Sequence, residues 1–321
     1  MASFRDTRAL VDGAFMAGLT AVLGLLGMFI PPFLFVSSVL LPIPLAVLVR
    51  RRDLKVAILS LIVTIFLMAI LYPDPLQVLI MFIQFGPLGL VLGLLYKNYV
   101  SAGHAMVAAY IVSALAALAV ITLTILVTGI NFEMLQASLT EGMNKVFAMY
   151  QEAGVPVPAD QQQLFLNSIK STMLVLPTIY VIFALFATTL TYIVGAKVLR
   201  RLNYQVNALP PFSKWRLPWY AIWGMILGLL FLLAGNQFQF NTIKIIGQNV
   251  LTLFAFIFFI MGLSVVVHFY KQLKLSKPFK MVLLLLLIIY ISFMYMAVVL
   301  LGLLDTIFNL RRPIVKKEKE N

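Results

Sequence analysis

The chain has 321 residues, of which 62% are hydrophobic and only 11% are charged, and its mean hydropathy is +1.03. A soluble domain is about 45–50% apolar and about 25% charged, so this composition excludes a soluble globular protein and predicts an all-α, polytopic integral membrane protein. The net charge of +13 comes from short basic loops between apolar segments, which indicates topology and contact with anionic headgroups rather than a nucleic-acid partner. The chain has no cysteine, which excludes disulfides, thiolate metal sites and a cysteine nucleophile.

The first apolar segment is rich in small residues. Arg5 and Arg8 precede it, and no small-residue cleavage site follows a short apolar core, so we interpret it as a retained first span rather than a signal peptide. Gly13, Ala17 and Ala21 recur every four residues, a spacing that lets two helices approach closely. Two interpretations stay open: packing within this chain, or a docking face for a separate membrane coupling subunit.

Nine apolar segments approach the length needed to cross a bilayer, about 20 residues. Pro31-Pro32 separates the first from the second, and Pro73-Asp74-Pro75 separates the third from the fourth, because proline lacks the N–H that a continuing helix requires. A basic, proline-rich connector at 197–218 divides a six-span unit at 1–196 from C-terminal membrane helices at 219–310 and a charged tail at 311–321. The candidate spans are 12–30, 33–49, 56–72, 76–96, 105–129, 171–196, 219–235, 245–269 and 281–304.

The basic loop Arg50-Arg51-Arg52-Asp53-Leu54-Lys55 between the second and third spans fixes the threading of the chain. With the N-terminus on the cytoplasmic side, sixteen of the 24 Lys and Arg residues fall in inner segments and three in outer segments, as the positive-inside rule requires. We therefore predict a multi-pass protein of a bacterial plasma membrane. Nine crossings would place the basic tail outside, so either one segment is re-entrant or the tail is an exception, and the side of the C-terminus stays open.

Residues 130–170 form the largest outer segment. Phe132, Leu135, Leu139 and Met143 recur at three- and four-residue steps, which predicts an amphipathic helix with Asn131 as its N-cap. The stretch 154–158 ends that helix, and Asp160 with Gln163 resembles a capping box that opens the next one. Two interpretations stay open: a helix on the outer leaflet, or a lid over an outward-facing pocket.

Polar side chains at the outer end of the fourth span predict where a small molecule would bind. Gln77 and Gln84 lie seven residues apart, on one helix face, and an amide in hydrocarbon needs hydrogen-bond partners. Helix–helix hydrogen bonding and ligand contact are both open for them. As a hypothesis we place an outward-opening cavity among spans three to six, with Tyr72, Asp74, Gln77 and Gln84 near its rim or wall.

Catalytic chemistry finds little support in this sequence. There is no mid-span carboxylate, no His, Asp and Glu group with metal-ligand spacing, and no phosphate-binding loop, so we expect no enzyme, metal site or cofactor. A protein that binds a molecule in an apolar pocket and is energised by a partner needs none of these groups.

Several stretches resemble known families. The first span with Ala17 and Ala21, the Pro31-Pro32 break, the run 41–45, the basic loop and the glycines at 86, 89 and 93 resemble the substrate-binding S components of energy-coupling-factor vitamin transporters. That resemblance covers about 7–196 and implies six spans, inner termini, an outer substrate site and docking of a coupling subunit on Ala17 and Ala21. The whole chain, with Gly302-Leu303-Leu304-Asp305 and Arg311 near its end, is more similar to the uncharacterised YybS family of bacterial membrane proteins.

From these observations the first hypothesis is a membrane binding or transport subunit for an unidentified small molecule, energised by partner subunits. The alternative is a non-transporting membrane scaffold that binds proteins through the same faces. Ligand, partners and oligomeric state are open at this point.

Overall fold

The computed structural model describes residues 7–130, 132–290 and 293–311, and the regular structure in these ranges is helical. Asn131, the predicted N-cap, and most of the charged tail lie outside the described residues. The helices are α1 Thr7–Phe29, α2 Leu34–Leu40, α3 Pro42–Arg51, α4 Leu54–Leu71, α5 Pro75–Lys97, α6 Ala102–Thr128, α7 Phe132–Glu152, α8 Ala159–Arg201, α9 Ile222–Gln237, α10 Asn241–Gln272, α11 Lys277–Tyr290 and α12 Tyr295–Phe308.

Within the described ranges, eight helical segments are long and apolar enough to cross a membrane, which confirms the prediction of a polytopic helical membrane protein. The chain divides into two compact units, Met1–Leu209 and Pro210–Asn321, and the division falls inside the predicted connector. Six of the eight segments belong to the first unit: α1, the segment Pro31–Arg51 that contains α2 and α3, α4, α5, α6 and α8. The second unit has two, α9 and α10.

The helix α3 forms the centre of the first unit. Every residue from Pro42 to Val49 is buried, and a helix that is apolar on all sides belongs in an interior. Prolines set its geometry, because Pro42 and Pro44 carry no N–H to donate to the turn before them. The outer surface of the unit is apolar too, with side chains such as Phe15 and Phe66 exposed, as expected where lipid replaces water.

Close approach of α5 to α3 depends on two glycines. A Cβ on Gly89 would lie 2.7 Å from the carbonyl oxygen of Pro42, and one on Gly93 would lie 2.9 Å from that of Ala46. Such distances are shorter than side chains tolerate, so the two backbones touch only because both positions are glycine. The glycines of the fourth predicted span therefore pack inside this chain, as small residues in membrane helices commonly do.

The outer segment differs from its prediction at the start of α8. This helix begins at Ala159 after Pro158, which has no side chain able to accept a capping hydrogen bond, so the predicted capping box at Asp160 and Gln163 is wrong. The helix is also continuous over 43 residues through Pro177, about 65 Å at 1.5 Å per residue, which is twice the hydrocarbon thickness. The predicted sixth span, 171–196, is therefore only part of a helix that is longer than the apolar layer is thick.

The amphipathic helix α7 packs against α8. Phe147 is its buried residue, and its ring lies 6.2 Å from that of Phe165. Leu135 and Leu139 on the predicted apolar stripe are exposed. An α7–α8 pair is thus what the structure shows for this segment, and the leaflet-bound and lid interpretations both stay predictions.

The second unit is held by glycines at two crossings. At the α9–α10 crossing a Cβ on Gly228 would come within 2.8 Å of the Leu251 nitrogen. At the α10–α12 crossing a Cβ on Gly302 would overlap the carbonyl oxygen of Phe258, and a Cβ on Gly262 would overlap that of Val298. Both helix pairs therefore pack backbone to backbone.

The predicted ninth span, 281–304, is wrong as a single helix. It is divided between α11 and α12, with a turn at Phe293 and Met294, and each helix has 14 residues. A helix of that length is about 21 Å long, too short for a hydrocarbon core of about 30 Å. The physical reason is the close contact of α12 with α10 through Gly262 and Gly302, which a straight continuation of α11 would not give.

Candidate functional site

The start of α5, which is predicted to lie on the outer side, is formed by the turn at Pro73-Asp74-Pro75. The Asp74 carboxylate accepts hydrogen bonds from the backbone N–H groups of Leu76 at 3.0 Å and Gln77 at 3.3 Å, so it caps the helix. The Tyr72 hydroxyl donates to Gln77 Oε1 at 3.1 Å, and Gln77 is exposed. These three residues make a local surface network at the helix start.

Gln84, two turns further along α5, has a different environment. It is 3% exposed, the Tyr180 hydroxyl of α8 donates to its Oε1 at 3.4 Å, and its Nε2 has no hydrogen-bond partner among the described residues. Nearby positions of the same helix, Val78, Met81 and Phe82, belong to an apolar core. An amide with two unused N–H donors in such surroundings lacks the partners that buried polar groups normally have.

The predicted pocket residues therefore divide into two groups. Tyr72, Asp74 and Gln77 are brought together at the surface, whereas Gln84 points into the helical bundle and does not join them. The sequence spacing alone could not separate the two glutamines, because residues seven apart share a helix face whatever that face meets. A hollow on the surface is lined by α7 alone: Glu133, Gln136, Ala137, Thr140, Glu141 and Asn144.

The predicted docking face of α1 is covered by α4 of the same chain. Gly13 is buried, and Ala17 and Ala21 are 1% and 5% exposed. The Ser60 hydroxyl donates to the Gly13 carbonyl at 3.0 Å, and the Thr64 hydroxyl lies 3.3 Å from the Ala17 carbonyl. Of the two interpretations, the structure shows internal packing, and docking of a coupling subunit on this face would require α1 to separate from α4.

The strongest polar network of the second unit surrounds Arg311. Its side chain and that of Asp305 are 1% and 4% exposed, and Nη2 lies 2.6 Å from Oδ2. Nε also donates to the carboxylate, Nη1 donates to the Ser213 carbonyl and the Ser264 hydroxyl, each at 2.9 Å, and Nη2 donates to the Trp215 carbonyl at 2.6 Å. All five N–H donors of the guanidinium are thus used, so this ion pair is enclosed without an unsatisfied group.

The Arg311 contacts also fix the direction of the C-terminal segment. Ser213 and Trp215 belong to the connector before α9, and Ser264 lies toward the end of α10. The chain therefore returns to the connector side after α11 and α12, and the tail starts on that side. The sequence analysis identified Asp305 and Arg311 only through a family resemblance, and the visible signal was an acidic residue six positions before a basic one next to an apolar helix.

The basic loop contains one arginine whose environment the sequence analysis did not predict. Arg51 and Arg52 both reach the Asp12 carboxylate, with Nε–Oδ2 distances of 3.2 and 2.7 Å, whereas Arg50 contacts the rings of Tyr99 and Tyr204. A sequence signal existed, since Asn98-Tyr99 and Asn203-Tyr204 each follow the end of a helix. Among the described residues, no three His, Asp or Glu side chains are grouped so that they could hold a metal ion.

Comparison with known proteins identifies the family of this chain. The chain is 23% identical over 314 residues to the "Uncharacterized protein YybS" of Bacillus subtilis (strain 168), which covers 97% of this chain and 99% of that protein. No solved structure matches. The resemblance to S components rests on the residues quoted for it and stays a prediction. The family model described as "Predicted membrane protein (DUF2232)" matches residues 18–306, and the chain therefore belongs to that family of membrane proteins.

Proposed function

We propose that this protein is a membrane subunit that binds a small molecule inside its first unit, and that partner subunits supply the energy for its transport. The observation that carries the proposal is the Gln84 side chain, 3% exposed, with an Nε2 that has no partner among the described residues. A buried donor of this kind costs about 1–3 kcal/mol if it stays unsatisfied. A ligand with an acceptor group would remove that cost.

Tyr180 supports the same position. Its hydroxyl is 3.4 Å from Gln84 Oε1, a long bond that could be exchanged for one to a ligand. The two residues come from α5 and α8, helices of the first unit, and small-molecule sites in helical bundles are formed between facing helices by a few polar groups in apolar surroundings. We expect a mostly apolar ligand with one hydrogen-bond acceptor opposite the Gln84 amide.

The test compares small molecules that copurify with the wild type and with Gln84→Met, a substitution of similar volume without polar donors. The protein is isolated from its native membrane, and released compounds are identified by mass spectrometry. We expect a compound that is present in the wild type and depleted in Gln84→Met, while Gln77→Met, the matched change at the exposed glutamine of the same helix, retains it. Identical compound profiles in all three proteins would contradict the proposal.

A second candidate, a non-transporting scaffold, is favoured by α11. This helix buries none of its described side chains, although it is too short to cross the apolar layer and therefore cannot be explained as an ordinary span. Substitution of an exposed residue, Leu285→Gln, distinguishes the two functions in the same experiment. A scaffold would lose a stoichiometric protein partner on that change and keep it in Gln84→Met.

A further inference from the structure

Arg50 differs from the other arginines of its loop because it has no counter-ion among the described residues. It comes directly after the fully buried stretch of α3 and is itself partly buried. Its contacts within the described residues are to aromatic rings and a hydroxyl, and no described carboxylate pairs with it. The Asp12 carboxylate pairs with Arg51 and Arg52. The guanidinium is therefore a partly enclosed positive charge without compensation from the described chain.

Two tyrosines hold that guanidinium in position. The Arg50 Cζ lies 5.1 Å from the centre of the Tyr99 ring and 5.0 Å from that of Tyr204, within the range of cation–π attraction. Nη2 also donates to the Tyr99 hydroxyl at 2.9 Å. Three contacts therefore hold the side chain in place. An arginine that only determined topology would instead move freely in solvent.

The backbone that presents these tyrosines is built specifically. Both α5 and α8 end in a left-handed residue followed by a bond back into the last turn: Val100 N–H to the Leu95 carbonyl at 3.1 Å, and Tyr204 N–H to the Leu199 carbonyl at 3.0 Å. In α5 the left-handed residue is Tyr99 itself, with φ of 53°, a conformation that a bulky side chain rarely adopts. A glycine there would remove the strain but also the ring and hydroxyl that hold Arg50.

Asn207 locks the two helix ends together. Its Nδ2 donates to the carbonyls of Tyr99 at 2.9 Å and Val100 at 3.0 Å, and its own carbonyl accepts from the Tyr192 hydroxyl at 2.8 Å. The segment after α8 is therefore bonded to the α5–α6 loop that carries Tyr99. Backbone strain at Tyr99, two cation–π contacts and the Asn207 amide together make a preorganised site around one cation.

The Arg50 Nε is enclosed and has no hydrogen-bond partner among the described residues. Buried donors without partners are rare and point to a ligand or ion. We propose that Arg50, framed by Tyr99 and Tyr204, binds a phosphate group, and that this group is the headgroup phosphate of an anionic lipid. A guanidinium is the side chain best suited to phosphate, since it is planar, always charged and offers several parallel donors.

The position of Arg50 favours a lipid as the source of the phosphate. It lies at the end of an apolar span, on the side that the charge distribution assigns to the cytoplasm, where phosphodiesters of the inner leaflet lie at the same depth. A soluble phosphate compound offers the same chemistry. The experiment therefore includes both sources.

The test uses the full chain, released from nanodiscs that contain equal amounts of phosphatidylglycerol and phosphatidylcholine, with retained lipids counted by native mass spectrometry. Wild type is expected to retain phosphatidylglycerol preferentially, and Arg50→Gln to retain about tenfold less, because a charge-assisted contact to phosphate is lost. Arg51→Gln is the matched control, since it removes the same charge one residue away, and it should change retention by less than about twofold.

Tyr99→Phe keeps Arg50 and the fold but removes the hydroxyl that orients the guanidinium, so an intermediate loss is expected even if Arg50→Gln folds poorly. Displacement of bound phosphatidylglycerol by glycerol phosphate supports the site and shows that the phosphate is the group that the site recognises. If inorganic phosphate stabilises the wild type but not Arg50→Gln against unfolding, and the wild type retains neither lipid preferentially, the result supports the phosphate site and overturns the lipid source. Equal behaviour of Arg50→Gln and Arg51→Gln in every arm overturns the proposal.

Discussion

The buried polar side chains of Gln84 and Arg311 differ in how many of their hydrogen-bond donors have partners. Arg311 is 6% exposed and uses all five of its donors, so its burial costs little beyond desolvation. Gln84 is 3% exposed and leaves Nε2 without a partner among the described residues. A satisfied network specifies one arrangement of the backbone, whereas an unsatisfied amide is a cost that folding alone does not explain. We therefore assign Arg311 to architecture, whereas the unsatisfied amide of Gln84 supports its proposed role in binding.

For the ligand-free protein, Gln84→Met should raise the free energy of unfolding by about 1 kcal/mol, because the unsatisfied amide disappears while the volume is kept. Thermal unfolding in detergent, after extensive washing, measures this change. Gln77→Met, at the exposed position that bonds Tyr72, should stay within about 0.5 kcal/mol of wild type. A clear destabilisation by Gln84→Met would mean that the amide is a structural group and would remove the main support for the binding site.

Arg311→Met should destabilise the second unit by about 3–5 kcal/mol, because the Asp305 carboxylate would stay buried without its partner. The double variant Arg311→Met with Asp305→Leu removes both charges and should recover most of that loss, since a well-packed apolar pair often replaces a buried ion pair without penalty. The measurement is a double-mutant cycle of unfolding temperatures. Additive losses in the double variant would show that the carboxylate and guanidinium are not coupled.

Among the helices, the breaks that prolines cause were predictable and those that packing causes were not. Pro31-Pro32 and Pro73-Asp74-Pro75 end helices where the sequence indicated, because proline acts locally. The division between α11 and α12 has no local signal in the apolar stretch 281–304. It depends on the contact of Gly302 with α10, which lies far away in sequence. Pro177 shows the converse, since α8 continues through it.

The small residues of α1 were likewise predictable in their local effect but not in their tertiary partner. Their spacing in α1 predicted that another helix approaches closely, and the partner turned out to be α4 of the same chain, through Ser60 and Thr64. A spacing of four describes one face of one helix, and the identity of the opposite face is tertiary information. The sequence could therefore predict contact, and it could not decide between an internal helix and a separate subunit.

Gly302→Ala should separate α12 from α10, because the added Cβ would overlap the Phe258 carbonyl oxygen. Backbone cannot yield as a flexible side chain can, so we expect a loss of about 1–3 kcal/mol in the free energy of unfolding. Gly18→Ala is the control, since a Cβ there meets no described atom within 4 Å, and alanine suits a helix better than glycine. Unfolding in detergent compares the two. A Gly302→Ala protein as stable as Gly18→Ala would contradict this crossing.

At the level of the whole molecule, composition and charge predicted the fold class and a consistent threading, while the span count needed the structure. With the N-terminus on the predicted inner side, the eight candidate crossing segments would return the chain to that side, and the contacts of Arg311 with the connector agree with that count. The candidate site was only partly predictable. Gln84 was identified from its position inside a span. Its burial, and the contacts of Arg50 with two tyrosine rings, depend on helices that are distant in sequence.

The lengths of α11 and α12 and the contacts of Arg311 together predict the side of the C-terminus. Each helix is about 21 Å long, and Arg311 contacts the connector carbonyls of Ser213 and Trp215. The tail should therefore share the connector's side, which the charge bias assigns to the cytoplasm. This also removes the conflict between nine crossings and a basic tail.

Single cysteines in this cysteine-free chain test that topology without a change in charge. Ala208→Cys reports the connector, Asn321→Cys the tail and Ser138→Cys the segment α7. In intact cells an impermeant thiol reagent should label only Ser138→Cys, and in inverted membrane vesicles it should label the other two, because the reagent reaches one face at a time. Labelling of Asn321→Cys together with Ser138→Cys, while Ala208→Cys stays protected, would require a ninth crossing and would show that the chain does not return to the connector side after α11 and α12.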